Sequence, residues 1–309
     1  MNEFDLINNY FSWQLNDSDI ELGVGDDAAI VNLHSDFQLV TSTDTLSEGV
    51  HFFDDDLPED IAYKSLAVNL SDIAAMGATA KWFTLALTLP SLDEVWLKHF
   101  SESLKETSQK YSVSLIGGDT TKGTLNISIT IMGVVQKRCA IKRSGAKNGD
   151  YIYVSGDIGD AAHCLKKIKE GVKPNESELI KLKRPLPRLE LGSALKNIAS
   201  SCIDISDGLE QDLQHIIKAS KVGAEIDVYD LPISEELNNY IKTSGNWSLP
   251  LCGGDDYELC FTANKEHDSA IKNIAKTHNI RITKIGFISD SKRLEVKGYD
   301  GALKSYQHF

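Results

Sequence analysis

Hydrophobic and polar positions follow two different periods along this chain. Between residues 94 and 110, apolar residues recur every three or four positions, which predicts an amphipathic helix. Between residues 126 and 135, Ile127, Ile129 and Ile131 alternate with polar residues, which predicts a strand with one buried face. Segments of both kinds follow one another in each half of the chain, so the sequence predicts an α/β or α+β fold.

The predicted elements fall into two groups. The first group has strands at 37–43, 113–116 and 126–135 and helices at 61–76 and 94–110. The second has strands at 151–155, 203–205, 224–228, 259–262 and 282–288 and helices at 161–170, 189–199 and 209–221. A basic, turn-rich segment at 137–150 separates the groups. We therefore expect two domains, residues 1–137 and 138–309.

Composition narrows the class of protein. The chain has 309 residues, of which 41% are hydrophobic, so two cores are feasible. The formal net charge of −13 argues against nucleic-acid binding, which needs a basic surface. There is no long apolar run and no basic leader, so we expect a cytoplasmic protein without a membrane segment. The five cysteines include no Cys-x-x-Cys pair, so neither a zinc site nor a disulfide framework is predicted.

Aspartates recur next to glycines at four places. Glycine lets the backbone turn and present N–H groups to an anion, and aspartate is a hard oxygen ligand for Mg²⁺. Each motif alone is more typical of a turn or a helix N-cap, but their recurrence favours a site for phosphate and metal. The four motifs are Gly23-Val-Gly-Asp-Asp27, Gly117-Gly-Asp119, Ser206-Asp-Gly208 and Gly253-Gly-Asp-Asp256, expected at the ends of strands.

The predicted periods group further oxygen-bearing side chains. Ser42 and Asp44 share one face of a strand because the strand period is two. Ser65, Asn69 and Asp72 form one polar stripe on an otherwise apolar helix. In the second half, Asp204 and Ser206 are likewise expected on one strand face, with Asp207 at the turn.

Two further residues gain interest only in this setting. Alone, His51 is more typical of a structural residue and Arg143 of a surface charge. A metal site that binds phosphate also needs a fixed cation, and the planar guanidinium of arginine suits that role.

Several common nucleotide and hydrolase signatures are absent from the sequence. No glycine directly precedes a lysine, which excludes a Walker A loop, and neither Asp-Phe-Gly nor His-Arg-Asp of the protein kinases occurs. Gly-x-Gly-x-x-Gly, His-Glu-x-x-His and Gly-x-Ser-x-Gly are missing as well.

Taken in order, the motifs resemble those of the bacterial thiamine-monophosphate kinases, relatives of aminoimidazole ribonucleotide synthetase and selenophosphate synthetase. The resemblance runs from residue 23 to residue 259 and includes the last residues, Tyr306-Gln-His-Phe. The matching segments are Gly23-Val-Gly-Asp-Asp-Ala-Ala, Ser42-Thr-Asp-Thr-Leu, Glu48-Gly-Val-His-Phe, Asn69-Leu-Ser-Asp-Ile-Ala-Ala-Met-Gly-Ala, Leu115-Ile-Gly-Gly-Asp-Thr-Thr, Arg143-Ser-Gly-Ala-Lys, Ile203-Asp-Ile-Ser-Asp-Gly-Leu and Gly253-Gly-Asp-Asp-Tyr-Glu-Leu.

The resemblance implies a fold and a reaction. The fold has an N-terminal ATP-binding domain that pairs with its twin in a homodimer, and a C-terminal α/β domain. The reaction phosphorylates thiamine monophosphate with ATP, the final step of thiamine diphosphate biosynthesis, with several Mg²⁺ ions; whether K⁺ activates is left open. We expect direct transfer without a side-chain base, because the attacking phosphate oxygen is already ionised.

The resemblance also implies residue roles. The implied Mg²⁺ ligands are Asp27, Ser42, Thr43, Asp44, Asp72, Asp119, Asp204 and Asp207. The implied ATP contacts are Gly118, Asp119, Arg143 and Ser206, and the implied substrate contacts are His51, Asp255 and Tyr306. At position 255 the family usually has Glu, so the aspartate here reaches one methylene less far.

Other readings differ in substrate or in class. A selenophosphate synthetase carries a reactive Cys or selenocysteine early in the chain, whereas the first cysteine here is Cys139. The motifs match aminoimidazole ribonucleotide synthetase less well. A non-catalytic nucleotide-binding or metal-buffering protein would be expected to lack a central ligand, but Asp72 and Asp119 are both present.

Overall fold

The structure, a computed structural model, describes residues 3–13, 17–24, 28–301 and 303. The chain divides into two compact units: unit 1 comprises residues 1–73 and 78–138, and unit 2 comprises residues 74–77 and 139–309. Among the residues described, no helix has both the length and the apolar character needed to cross a membrane.

Unit 1 is built on a four-stranded sheet. In chain order its elements are α1 (Glu3–Tyr10), β1 (Ile20–Leu22), β2 (Ile30–Val31), β3 (Phe37–Ser47), α2 (Pro58–Ala75), β4 (Thr79–Leu89), α3 (Glu94–Tyr111), β5 (Ser114–Lys122) and β6 (Asn126–Gln136). The order of strands in the sheet is β3-β6-β4-β5. Only the β4–β5 pair is parallel, and β1 and β2 form a separate antiparallel pair.

The two faces of this sheet differ. Ile127, Ile129 and Ile131 of β6 are fully buried, which confirms the alternation predicted from the sequence. Helix α3 starts at the N-cap Asp93, whose side chain accepts two backbone N–H groups, and it buries Leu97, Phe100 and Leu104. The opposite face is lined by half-buried and exposed polar residues such as Ser128 and Thr130.

Unit 2 is built on a six-stranded sheet of order β12-β9-β11-β7-β10-β8. All neighbouring pairs are antiparallel except β12–β9. Its elements are β7 (Tyr151–Ser155), α4 (Asp160–Lys169), α5 (Glu176–Lys183), α6 (Leu189–Ala194), β8 (Ala199–Asp204), α7 (Leu209–Ser220), β9 (Gly223–Asp227), α8 (Glu235–Ser244), α9 (Ser248–Cys252), β10 (Leu259–Ala263), α10 (Asp268–Thr277), β11 (Ile282–Ser289) and β12 (Leu294–Lys297).

Both faces of this second sheet are covered. Along β7, Ile152 and Val154 belong to one hydrophobic cluster, and Tyr153 between them belongs to another. On β10, Cys260 lies in the first cluster and Phe261 in the second. A strand buried on both faces lacks a polar side, which explains the continuous apolar runs of these segments.

Each predicted helix and strand overlaps an observed element of the same type, and the α/β class is confirmed. Strand β4 was not predicted, nor were β1, β2, β12, α1, α5, α8, α9 and α10. The helix predicted over 189–199 is too long, because α6 ends at Ala194 and β8 starts at Ala199.

One motif placement was wrong, because Gly117-Gly118-Asp119 lie inside β5 rather than at its end. Ser206–Gly208 follow the end of β8, as predicted, but Ser206 lies two residues beyond the strand and so does not share a strand face with Asp204. Gly253–Asp256 follow α9 and precede β10, at an end of that strand as predicted.

Candidate active site

In unit 1, strand β3 and helix α2 bring the predicted oxygen-bearing side chains together. Ser42 Oγ donates to Asp72 Oδ2 at 2.5 Å, and the backbone N–H of Asp44 donates to Asn69 Oδ1 at 3.2 Å. Asn69 is buried and in turn donates to the carbonyl of Ser65 at 2.9 Å. The predicted stripe on the helix therefore faces the predicted Ser-x-Asp face of the strand.

The chemistry of this group fits Mg²⁺. Ser42, Asp44 and Asp72 offer only hydroxyl and carboxylate oxygens, the hard ligands that Mg²⁺ prefers, and no sulfur or imidazole. Asp44 and Asp72 are both half-buried, so solvent reaches them. Within the described part of the chain, no three His, Cys, Asp or Glu side chains assemble into a metal cluster. Asp27, the further ligand predicted for unit 1, lies outside the described residues.

The side chain of Thr43 does not belong to this group. It alternates to the other face of β3, where its Oγ1 lies 2.8 Å from Thr130 Oγ1 on β6. Thr43 could therefore contact a metal ion held by Asp44 only through its backbone carbonyl oxygen.

Asp119 lies on the opposite face of the sheet from Asp44. Across the sheet, Asp119 is level with Ala86, Ala86 with Ser128, and Ser128 with Thr45, so these four side chains share one face. Strands β3 and β5 are the two outer strands, three strand spacings or roughly 14 Å apart. One chain therefore cannot place Asp119 and Asp44 on the same ion, whose ligands lie at about 2 Å.

The neighbouring Gly118 is fixed by strand pairing. A Cβ added there would lie 2.0 Å from the carbonyl oxygen of Leu85 on β4. Any side chain at this position would push the two strands apart. Gly118 thus lets β5 run close along β4 and present the exposed Asp119 on the open face of the sheet.

His51 is oriented by the turn that follows β3. Its Nδ1 accepts the backbone N–H of Ser47 at 3.0 Å, and its carbonyl accepts from Lys64 Nζ at 3.3 Å. An accepting Nδ1 places the proton of the neutral imidazole on Nε2. The hydrogen bond from Ser47 therefore fixes the orientation and the tautomer of the half-buried ring.

In unit 2, the loop after β8 is held by an acid that sequence reasoning missed. Asp212, on the first turn of α7, accepts the backbone N–H groups of Ser206 and Asp207 with one oxygen, at 3.1 Å each. Asp207 itself accepts from Gln211 Nε2 at 2.9 Å. Asp204, at the end of β8, is buried close by in the chain.

Burial and neighbouring charges both act on Asp212. Burial, and after it the charge of Asp207, raise the pKa of Asp212 to about 7. The two backbone hydrogen bonds and the nearby guanidinium of Arg143 act in the opposite direction. The exposed Arg143 is thus close enough to Asp212 for its charge to act on that carboxyl group.

The Gly253–Tyr257 loop runs alongside residues 205–206. The backbone N–H of Asp255 donates to the carbonyl of Ser206, and that of Tyr257 to the carbonyl of Ile205, both at 2.8 Å. Asp255 and Tyr257 have left-handed φ values of 65° and 51°. Tyr257 Oη also donates to Asp255 Oδ1 at 3.1 Å. The structure therefore places predicted substrate residue Asp255 directly beside predicted ATP residue Ser206.

Two buried contacts behind this loop had no sequence signal. Asp256 accepts the backbone N–H of Gly159 with both oxygens, at 2.9 and 3.0 Å. Glu258 forms a two-pronged ion pair with Arg188, whose Nε lies 2.6 Å from Oε2. The partners are distant in sequence, so only the fold shows them. Tyr306, the remaining predicted substrate contact, lies outside the described residues.

Comparison with known proteins identifies the family. Residues 25–135 match the N-terminal domain of the AIR synthase related proteins, and residues 147–298 match their C-terminal domain. The chain is 47% identical to thiamine-monophosphate kinase of Haemophilus influenzae, over 94% of this chain and 90% of that protein. The chain belongs to the thiamine-monophosphate kinase family.

Solved structures of this family share the fold. The crystal structure of thiamine-monophosphate kinase from Stenotrophomonas maltophilia matches with a TM-score of 0.88 at 41% identity, covering 96% of each chain. A structure described as AaThiL complexed with AMPPCP and TMP matches with a TM-score of 0.81 at 30% identity, covering 99% of this chain and 96% of that one. The predicted family is confirmed, and with it the fold of two AIR synthase related domains.

Proposed function

We propose that this protein is a thiamine-monophosphate kinase, which transfers the terminal phosphoryl group of ATP to the phosphate of thiamine monophosphate. The products are ADP and thiamine diphosphate, so the enzyme catalyses the final step of thiamine diphosphate biosynthesis. The observation that carries this function is the 47% identity to a named kinase over 94% of the chain. The related AaThiL structure with AMPPCP, an ATP analogue, and TMP supports both substrates.

We further propose that Ser42, Asp44 and Asp72 hold Mg²⁺ in unit 1. Bound there, Mg²⁺ would neutralise phosphate charge and align the two phosphate groups. The hydroxyl of Ser42 orients the carboxylate of Asp72 through a 2.5 Å hydrogen bond. Asn69 fixes the backbone at Asp44, so the two acids keep their spacing.

In unit 2, we propose that Asp204 and Asp207 bind metal and that Arg143 and Ser206 contact ATP. Hydrogen bonds that hold the Ser206–Asp207 loop support this assignment, and so does the charge of Arg143, which acts on Asp212 next to that loop. Asp255 and His51 are proposed as substrate contacts. The substrate phosphate is ionised at neutral pH, so these residues bind and orient and none of them needs to remove a proton.

We also propose that the enzyme is a homodimer in which Asp119 serves the partner's site. Asp119 lies on the other face of the sheet from Asp44 and Asp72, and at the opposite edge. A second copy packed on the open face would bring such a residue to a metal site that its own chain cannot reach. Homodimers are the commonest form of soluble oligomer.

Mixing two inactive variants tests the shared site. If Asp119 acts across the dimer, a heterodimer of one Asp72→Asn chain and one Asp119→Asn chain has one of its two sites intact. About half of the dimers refolded from an equal mixture are such heterodimers, so the mixture regains about a quarter of the wild-type activity. If each site takes both residues from one chain, the mixture stays inactive and the proposal fails. Sedimentation of the wild-type protein provides the oligomeric state independently.

The activity itself is tested by supplying ATP, Mg²⁺ and thiamine monophosphate and assaying thiamine diphosphate. Asp72→Asn is expected to abolish turnover while the fold persists, because the change removes a metal ligand rather than core packing. Asp55→Asn, which removes the same charge from an exposed loop position, is the matched control and should stay active. ADP formed only with a different acceptor would reject the substrate. A trapped phosphoenzyme would reject direct transfer.

A further inference from the structure

Asp212 is a buried carboxylate for which the proposed reaction has no direct use. It is only 2% exposed. The same oxygen, Oδ2, accepts the N–H of Ser206 and the N–H of Asp207. A single acceptor therefore fixes two successive peptide groups of the loop proposed to hold ATP and metal.

We infer that Asp212 is a positioning residue for nucleotide binding, and this inference rests on the role proposed for Ser206 and Asp207. Orienting two consecutive N–H groups inward fixes the peptide planes around Ser206. The direction of the Ser206 and Asp207 side chains then follows from the backbone. Without the acceptor, two half-buried N–H groups would lose their partner, and the loop would turn to satisfy them elsewhere.

The same contact extends to the substrate loop. The carbonyl of Ser206 accepts from the N–H of Asp255, so Ser206 is held by hydrogen bonds on both its N–H and its carbonyl. The approach is close: a Cβ at Gly254 would lie 2.2 Å from the Ser206 carbonyl oxygen. Asp212, Ser206 and Asp255 thus form one chain of contacts from α7 to the proposed substrate residue.

The N-terminus of α7 leaves room for the side chain of Asp212, on the first turn, to reach back to the preceding loop. The N-cap of α7 is Gly208, which has no side chain to cap the helix and has a left-handed φ of 113°. A Cβ there would lie 2.7 Å from the Cys252 backbone, so no capping side chain fits. Asp212, on the first turn, instead turns back and binds the loop that precedes the helix.

The test compares Asp212→Ala and Asp212→Asn in the full-length protein, with AMPPCP and Mg²⁺ as the binding probe. Asp212→Ala should weaken AMPPCP binding on the order of tenfold, because both N–H groups lose their acceptor. The KM for ATP should rise more than the KM for thiamine monophosphate, because Asp212 contacts Ser206 directly and reaches the proposed substrate residue Asp255 only through Ser206. Asp212→Asn keeps an acceptor oxygen and should bind AMPPCP within about threefold of wild type.

Asp150→Ala is the control for a buried acid that also accepts a backbone N–H. Asp150 is 3% exposed and binds the N–H of Lys147 at 3.0 Å and the hydroxyl of Ser200 at 2.6 Å, and the Ser206–Asp207 loop is not among these contacts. It should lower the melting temperature but leave AMPPCP affinity unchanged.

Two outcomes would overturn the inference. One is a folded Asp212→Ala protein with wild-type AMPPCP affinity. The other is an Asp212→Asn protein that binds AMPPCP as weakly as Asp212→Ala. If the alanine variant does not fold, an Asp212→Asn protein that binds AMPPCP at least tenfold more weakly than wild type overturns the inference. If wild-type protein binds AMPPCP but does not phosphorylate thiamine monophosphate, the proposed function fails while the binding comparison still tests Asp212.

Discussion

Two adjacent glycines in β5 give opposite predictions for the same substitution. A Cβ at Gly118 would lie 2.0 Å from the Leu85 carbonyl oxygen, whereas a Cβ at Gly117 would meet only Thr84 Cγ2 at 3.8 Å, an ordinary contact. Neither glycine has a left-handed φ, so alanine is compatible with the backbone conformation at both positions. The two variants therefore differ only in space.

The structure sets the size of the effect. Real Cβ contacts are not closer than 3.0 Å, so Gly118→Ala must move β4 and β5 apart by about 1 Å. Overpacking of this kind costs roughly 1–3 kcal/mol, equivalent to a melting temperature several degrees lower. Gly117→Ala should instead be neutral or stabilise by about 0.4–1 kcal/mol, because alanine loses less backbone entropy on folding.

Thermal denaturation of both variants, followed by circular dichroism, measures this difference. Kinetic assays at saturating thiamine monophosphate add a second readout, since displacement of β5 also moves Asp119 and should raise the KM for ATP. If Gly118→Ala melts with the wild type, the close approach of β4 and β5 is wrong. Equal destabilisation by both alanines would mean that the strand needs glycine for its backbone conformation.

Three further predictions concern unit 2. Burial raises the pKa of Asp256, so unfolding above about pH 4 releases the proton of this residue, and the free energy of unfolding falls as the pH rises. Asp256→Asn removes this titration and should reduce the slope by up to about 1.4 kcal/mol per pH unit. Urea titrations from about pH 5 to 8 measure it. Arg188→Met leaves the buried Glu258 without its ion-pair partner and should lower the free energy of unfolding by about 3–5 kcal/mol in the same assay. The double variant Arg188→Met/Glu258→Gln should recover most of this loss. A double variant as unstable as the single one would contradict the pairing. Cys139 alone among the five cysteines is partly exposed, and burial raises the pKa of Cys164 to about 11, so Ellman's reagent should modify one thiol in native protein and five after denaturation.

Local periodicity was sufficient for part of the site. Ser42 and Asp44 share a face because a strand alternates, and Asn69 and Asp72 share a face because a helix repeats every 3.6 residues. Those two rules were enough to predict both polar faces, and the structure brings the faces into contact. The contact itself required only that α2 pack on the sheet next to β3.

Sequence reasoning failed where tertiary contacts override local preference. Strand β4 alternates buried with half-buried or exposed positions from Thr84 to Leu89, but an irregularity in its pairing around Trp82 and Phe83 interrupts the period, and the strand was missed. The pair Gly117-Gly118 is typical of a turn, yet Gly118 serves the close approach of β5 to β4. Asp212 lies five residues after Asp207, a spacing that reads as a helix face and gives no sign of a side chain that reaches back to the loop.

The misplaced turn at Gly117-Gly118 has a consequence for the whole site. Had the chain turned at Gly118, Asp119 could have pointed back towards Asp44, and one chain could have held all the acids of unit 1. Because β5 instead continues to Lys122, strand register fixes Asp119 on the face that carries Ser128 and Thr45. Under the proposed homodimer, the proposed metal site of unit 1 takes Asp119 from a second copy, and the mixed-variant experiment tests this arrangement.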